Sequence, residues 1–262
     1  MFDNRPIGVL DSGVGGLTVA KELQNLLENE SIYYFGDNAN VPYGNKSEEE
    51  IYQLTKRMVD FLIEKDVKLI LVACNTISTI LDKYFSDYPL PIISIIKPAA
   101  DYVISENIKE VGVIATKFTI ESGAHEKLIK RANKNVKVVN EGSPNLASLI
   151  DSGDYTSEEV QALVDLHMNN IMEKGSPKDI ILGCTHYPIA IKEFQRKSPE
   201  TNFINPAYEQ VKYAEELMLV NNSRAEEGKK ATFKIFTTGK KEVYKKMIDL
   251  LGMKKPEEIN IL

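Results

Sequence analysis

The chain has 262 residues, of which 43% are hydrophobic and 27% charged, with a formal net charge of −6. Such a length holds one large α/β domain or two of ordinary size, and the composition is that of a soluble globular protein. The acidic balance argues against nucleic acid or an anionic membrane as partner, and no apolar run approaches the length of a membrane span. No signal peptide is visible after Met1, so the expected location is cytoplasmic, where two cysteines are poor candidates for a structural disulfide. His125, His167 and His186, with Cys74 and Cys184, have no metal-ligand spacing.

In chain order, strand and helix alternate almost from end to end, which predicts α/β architecture with mainly parallel sheets. Ile7–Leu10 reads as a first strand ending in Asp11-Ser12-Gly13. A helix follows from Leu17 to Leu27, with Leu17, Ala20, Leu23 and Leu27 at helical spacing. Ile32–Phe35 reads as a strand and 36–47 as a turn-rich loop holding Pro42-Tyr43-Gly44. Ser47 before Glu48, Glu49 and Glu50 is a helix start, since carboxylates favour the amino end. That helix turns Ile51, Leu54, Met58, Phe61 and Leu62 inward. Leu69–Ala73 and Ile92–Ile96 read as strands.

Near Lys97-Pro98 the pattern restarts. Val111–Ala115 reads as another first strand, with Thr116–Thr119 in the place of the Asp11-Ser12 turn. Strands at Val136–Val139, Asp179–Leu182 and Asn202–Ile204 follow, with a helix over Ser157–Met172. A helix over Tyr208–Leu219, a polar stretch, a strand at Thr232–Thr237 and a closing helix complete the chain. The reading is two similar α/β domains, 1–97 with 208–262 and 98–207, with an active site expected in the cleft between them.

The two cysteines end matched apolar runs, in Val72-Ala73-Cys74-Asn75-Thr76 and Leu182-Gly183-Cys184-Thr185-His186. Ligands of such sheets bind beyond the carboxyl ends of the strands. A cysteine without such flanks is more often a buried core residue than a catalyst, and the paired placement overturns that reading. Two matched thiols suggest a reaction that needs one acid and one base on opposite faces of a substrate.

These residues resemble the signature blocks of the glutamate racemases. The resemblance rests on Asp11-Ser12-Gly13-Val14-Gly15-Gly16-Leu17-Thr18, on Tyr34-Phe35-Gly36-Asp37 with Val41-Pro42-Tyr43-Gly44, on Ala73-Cys74-Asn75-Thr76, and on Leu182-Gly183-Cys184-Thr185-His186-Tyr187-Pro188. It runs from about Ile7 to Leu219. It implies two α/β domains, no cofactor, no metal, and glutamate as the small-molecule substrate, with D-glutamate going into bacterial peptidoglycan. Homodimers are common in the family. It further implies that Cys74 serves the D-enantiomer with Asp11 beside it, and Cys184 the L-enantiomer with His186 beside it. Tyr43 and Gly44 would meet the substrate's side-chain carboxylate. Ser12, Asn75, Thr76, Thr116, Thr119 and Thr185 are small donors at strand ends, where helix amino termini add partial positive charge. Control through an N-terminal extension is not expected, since Asp11 stands close to Met1.

Weaker signals have plainer readings. Gly13-Val14-Gly15-Gly16 lacks the dinucleotide-binding spacing and the acidic partner after the second strand, so a tight turn is favoured. For Tyr43 a role toward substrate and a role in its own loop weigh evenly, and the lysine and glutamate runs at 226–230 and 240–246 read as solvated faces. Several stretches depart from the family pattern. Asn140–Leu146 replaces Ala-Cys-Pro and an aromatic residue, Lys97-Pro98-Ala99-Ala100 a Gly-rich turn, and Asn205 an aspartate. Asp151 stands in a glutamate position and must reach one methylene further to His186. These changes keep open a two-thiol racemase for aspartate or another amino acid. A two-lobed binding module that has lost catalysis is opposed by the survival of both cysteines and their polar neighbours.

Overall fold

The computed structural model describes residues 2–153 and 155–262. Met1, at the start of the first expected domain, and Asp154, within the second, lie outside the described residues. The elements are β1 (Ile7–Asp11), α1 (Leu17–Leu26), β2 (Ile32–Gly36), α2 (Glu48–Glu64), β3 (Leu69–Val72), α3 (Asn75–Ser78), α4 (Leu81–Tyr84), β4 (Ile92–Ser94), α5 (Ile96–Ser105), β5 (Glu110–Thr116) and α6 (Lys117–Ser122). They continue as α7 (Ala124–Ala132), β6 (Lys137–Ser143), α8 (Leu146–Asp151), α9 (Glu158–Lys174), β7 (Asp179–Gly183), α10 (Ile191–Lys197), β8 (Asn202–Ile204), α11 (Pro206–Val220), β9 (Phe233–Thr237), α12 (Lys241–Leu251) and β10 (Glu258–Ile261). Short 3₁₀ turns lie at Asn38–Asn40, Tyr43–Asn45 and Tyr187–Ala190. Among the described residues no helix is long and apolar enough to cross a membrane.

The chain divides into two compact units, one of residues 1–95 with 207–262 and one of residues 96–206. The first holds a six-stranded sheet in the order β10-β9-β2-β1-β3-β4, and the second a four-stranded sheet in the order β6-β5-β7-β8. All the pairings are parallel. In each sheet the first strand of the unit is flanked by the next strand on one side and the third on the other. The chain thus leaves β1 and β3, and likewise β5 and β7, toward opposite sides, which opens a crevice beyond their carboxyl ends.

Side-chain alternation in the second sheet shows how sequence sets the faces. Val111, Val113 and Ala115 of β5 and Ile181 of β7 pack with Ala99, Val103 and Ile129 of α5 and α7. Ile114, Ile180 and Leu182 point the other way, onto Leu146, Ile150, Val164, Ile171 and Phe194 of α8, α9 and α10. This two-residue period places Cys184 in the second cluster, in step with Ile180 and Leu182. Fully burying each such aliphatic side chain contributes about 1.5–3 kcal/mol. In the first unit Leu17, Ala20 and Leu23 of α1 and Ile51, Met58 and Leu62 of α2 are buried. Phe61 is only half-buried and packs its ring against Phe35 and Phe236. Helix α2 opens with a capping box. The Ser47 hydroxyl accepts the Glu50 N–H, and the Glu50 carboxylate accepts the Ser47 N–H.

Three segments differ from expectation. The strand expected over Ile92–Ile96 ends at Ser94, and Ile96 already begins a helix with Pro98 in its first turn, where a missing N–H costs no hydrogen bond. The strand expected over Val136–Val139 runs on through Asn140, Glu141, Gly142 and Ser143, residues of low strand preference held by a ladder with Val113–Thr116. The edge strand β10, pairing with β9, was not anticipated.

Candidate active site

The first crevice is built at the ends of β1 and β3. Asp11 closes β1 fully buried, and its Oδ2 accepts the Gly13 N–H at 3.0 Å, which tightens the turn. Ser12 Oγ lies 3.5 Å from Cys74 Sγ. Cys74 caps α3, so Asn75 and Thr76 form its first turn, and all three are buried. The turn depends on Gly16. A Cβ there would stand 2.6 Å from the Asp11 Cβ and 2.9 Å from the Tyr34 hydroxyl, so only glycine lets the start of α1 lie this close. The Tyr34 hydroxyl in turn donates to the Gly13 carbonyl at 2.7 Å.

Tyr43 and Gly44 belong to the same unit. Tyr43 is buried, and its hydroxyl donates to Asp37 Oδ2 at 2.7 Å. Burial, then that bond to a carboxylate, holds the phenol well above its ordinary pKa, so it stays a neutral donor. The Cys74 charge adds to the same shift, which marks Tyr43 as an electrostatic neighbour of the thiol. Gly44 is half-buried beside it.

The second crevice lies at the ends of β5 and β7. Thr116 caps α6, its hydroxyl accepting the Thr119 N–H at 3.3 Å and meeting the Thr119 hydroxyl at 2.9 Å. Cys184 follows β7 and is buried with Thr185. His186 Nδ1 stands 3.7 Å from Cys184 Sγ, and its Nε2 is 3.0 Å from Asp151 Oδ1. Asp151, the last residue of α8, therefore spans the gap expected to need a longer side chain. Burial disfavours the charged imidazole, but the bonds to Asp151 and Cys184 outweigh it and raise the His186 pKa well above its usual value. Burial likewise opposes the Asp151 charge, and the His186 bond wins, lowering that carboxyl. A protonated ring donating to both neighbours fits these directions.

The residues expected from sequence thus fall into two sets. Asp11, Ser12, Tyr43, Gly44, Cys74, Asn75 and Thr76 lie in one unit, and Thr116, Thr119, Cys184, Thr185 and His186 in the other. Some buried polar residues of the two units were not singled out by sequence. Asp37 stood inside a signature block without a role, though its buried carboxylate organises the Tyr43 loop. Tyr187 is fully buried, and burial and then the neighbouring Cys184 charge raise its pKa. Glu141 and His167, given no role, meet at 2.7 Å, with Asn170 and Lys174 also on Glu141. The 26-residue separation of that pair leaves no local signal to find it by. Among the described residues no group of three or more His, Cys, Asp or Glu side chains is placed to hold a metal ion.

Residues 7–214 match the Asp/Glu/Hydantoin racemase family model. A glutamate racemase of Limosilactobacillus reuteri is 36% identical over 240 residues, which cover 91% of this chain and 89% of that protein. The structure of a glutamate racemase from Bacillus anthracis superposes with a TM-score of 0.93 at 30% identity, covering 99% of this chain and 98% of that one. One from Francisella tularensis, in complex with D-glutamate, gives 0.89 at 32% identity, with the same 99% and 98% coverage. With two parallel sheets, a thiol at the end of the third strand of each unit, and relatives matched along nearly their whole length, this chain belongs to the Asp/Glu/hydantoin racemase family, among its glutamate racemases.

Proposed function

We propose that the chain interconverts L-glutamate and D-glutamate by moving the α-hydrogen between two thiols, with D-glutamate passing to bacterial peptidoglycan. The observation that carries this reading is the matched placement of Cys74 and Cys184, each at the switch point of its own sheet and each with a polar neighbour in contact. One thiolate takes the α-hydrogen as a proton. The C–H electron pair stays on carbon and spreads into the α-carboxylate, giving a planar carbanion. The other thiol protonates the opposite face, so the two sulfurs exchange protonation states and nothing is consumed.

A thiol suits both duties, because its reference pKa of about 8.5 leaves a thiolate fraction that modest local help enlarges. Positioned groups of this kind contribute roughly 10²–10⁴-fold each. Cys74 works on the D-enantiomer and Cys184 on the L-enantiomer. Asp11 supports the first thiol and the substrate ammonium, and His186, held by Asp151, supports the second. Ser12, Asn75, Thr76, Thr116, Thr119 and Thr185 supply donors for the substrate, and Tyr43 with Gly44 meets its side-chain carboxylate. The scheme runs on the chain's own side chains, without a cofactor.

The test is α-carbon exchange in deuterium oxide with each enantiomer, followed by mass and by chiral chromatography. Deuterium should enter both, with racemisation; no exchange from either would overturn the activity. The aspartate alternative, kept open by Asp151 and the Ser143 region, predicts faster exchange with aspartate than with glutamate.

A further inference from the structure

We infer that the C-terminal segment acts as a strut, in which Thr238 holds Asp37 and through it the Tyr43–Gly44 loop in its substrate-binding shape. The inference rests on the proposed role of Tyr43 and Gly44 toward glutamate. The strut lies beyond the residues matched by the family model, which end at 214.

Asp37 is 3% exposed, and a carboxylate so buried is tolerated only when its oxygens are bonded. Its Oδ1 takes the Thr238 hydroxyl at 2.7 Å and the Asn40 amide at 2.9 Å. Its Oδ2 takes the Tyr43 hydroxyl at 2.7 Å and the same Asn40 amide at 3.0 Å. Thr238 therefore sits across a single carboxylate from Tyr43. The Thr238 oxygen also accepts the Ala39 N–H at 3.0 Å, so one side chain grips both the carboxylate and the loop backbone.

The grip has a rigid base. Thr238 directly follows β9, which pairs with β2 in register, Gly36 facing Thr237. From α12, the Tyr244 hydroxyl donates to Asn38 Oδ1, and its ring meets Tyr34 edge-on at 6.1 Å. A Cβ at Gly36 would stand 2.0 Å from the Tyr244 hydroxyl, so the start of the loop and α12 are fitted too closely for any side chain between them. Asn38, Ala39, Asn40 and Tyr43 are thus all tied to two points, Asp37 and the segment after β9. Because the Tyr43 hydroxyl is spent on Asp37, its service to substrate is to place the ring and the following backbone. Thr238 is a positioning residue.

The test is Thr238→Val, which keeps the bulk and removes the hydroxyl, with Thr238→Ser as the conservative control. KM for both enantiomers should rise about tenfold in the valine variant while kcat stays within about twofold, and serine should restore KM. Tyr43→Phe should raise KM similarly, and the double variant should fall short of the product of the two effects, since both act through Asp37. A folded Thr238→Val with unchanged KM, or with reduced kcat alone, would overturn the strut. Hydrogen exchange supplies a readout independent of glutamate. Amides of residues 38–45 should exchange faster in Thr238→Val, and unchanged exchange sinks the inference. Wild-type protein that failed to turn over glutamate would remove the proposed function, while the exchange result would still decide the strut.

Discussion

Cys74 and Cys184 stand at equivalent points of their sheets, yet their surroundings differ in kind. Beside Cys74 lies a serine hydroxyl, with the fully buried Asp11 on the adjoining strand end. Beside Cys184 lies an imidazole anchored by a second carboxylate. All three histidines of the chain fall in the unit of residues 96–206. Of these, His186 is raised well above the ordinary imidazole value by Asp151 and Cys184, and His125 is pushed down to about 4 by burial, so the shifted imidazoles are concentrated on the Cys184 side. The contrast teaches that, under the proposed mechanism, a symmetric reaction does not need symmetric auxiliaries: the backbone placement of the thiol is repeated, while its polar neighbours differ from one unit to the other.

The strongest way to break this comparison is to remove each sulfur. Cys74→Ala and Cys184→Ala should each lower racemisation by at least about 10³-fold, as read by chiral chromatography. Retention of activity within tenfold in either variant would dissolve the pairing.

Acid stability sharpens it next. Burial pushes the His125 pKa down to about 4, below its unfolded value near 6.5. A group with a depressed folded pKa contributes its stability above the unfolded value and loses it as pH falls toward the folded one. The 96–206 unit should therefore lose about 3 kcal/mol between pH 6.5 and 4 from this residue alone. Urea titrations of wild type and His125→Gln across that range measure it, and equal slopes would refute it.

Asp151→Asn should cost about 30-fold in kcat/KM and move the alkaline limb of the rate profile to lower pH. The sign follows from the carboxylate, whose loss lets the raised His186 pKa fall. In stability, the His186 contribution is complete below the unfolded imidazole value and disappears as pH rises through the raised folded one. The Asp151 contribution is present above the ordinary carboxylate range and is lost as pH falls through its lowered value. A limb that stays in place would show that Asp151 only packs. The smallest effect is expected of Ser12→Ala, about fivefold on rate, as for one neutral hydrogen bond. A loss comparable to that of Cys74→Ala would mean the serine is a proton carrier in its own right.

Much of this arrangement is legible locally. The apolar runs before Asp11, Cys74, Thr116 and Cys184 announce buried strands, and the flanking small polar residues mark their ends. Asp151 is instructive, because its shorter side chain reads as a defect until α8 is seen to deliver it to His186 at 3.0 Å. Asn140–Ser143 falls beyond the strand expected over Val136–Val139 and is strand, because pairing with β5 outweighs weak intrinsic preference. Glu141 with His167 and Asp37 with Thr238 were beyond reach of pattern, since each joins residues remote in sequence.

By itself the amino-acid order determined the parallel α/β class, the positions of both thiols at strand ends and the four blocks of family resemblance, because strand period, turn chemistry and motif are properties of neighbours along the chain. The tertiary structure alone decided several of the polar pairings: Ser12 to Cys74, Glu141 to His167, Thr238 to Asp37. Those pairings follow from sheet order and helix packing, which bring together residues whose separation along the chain carries no periodic signal.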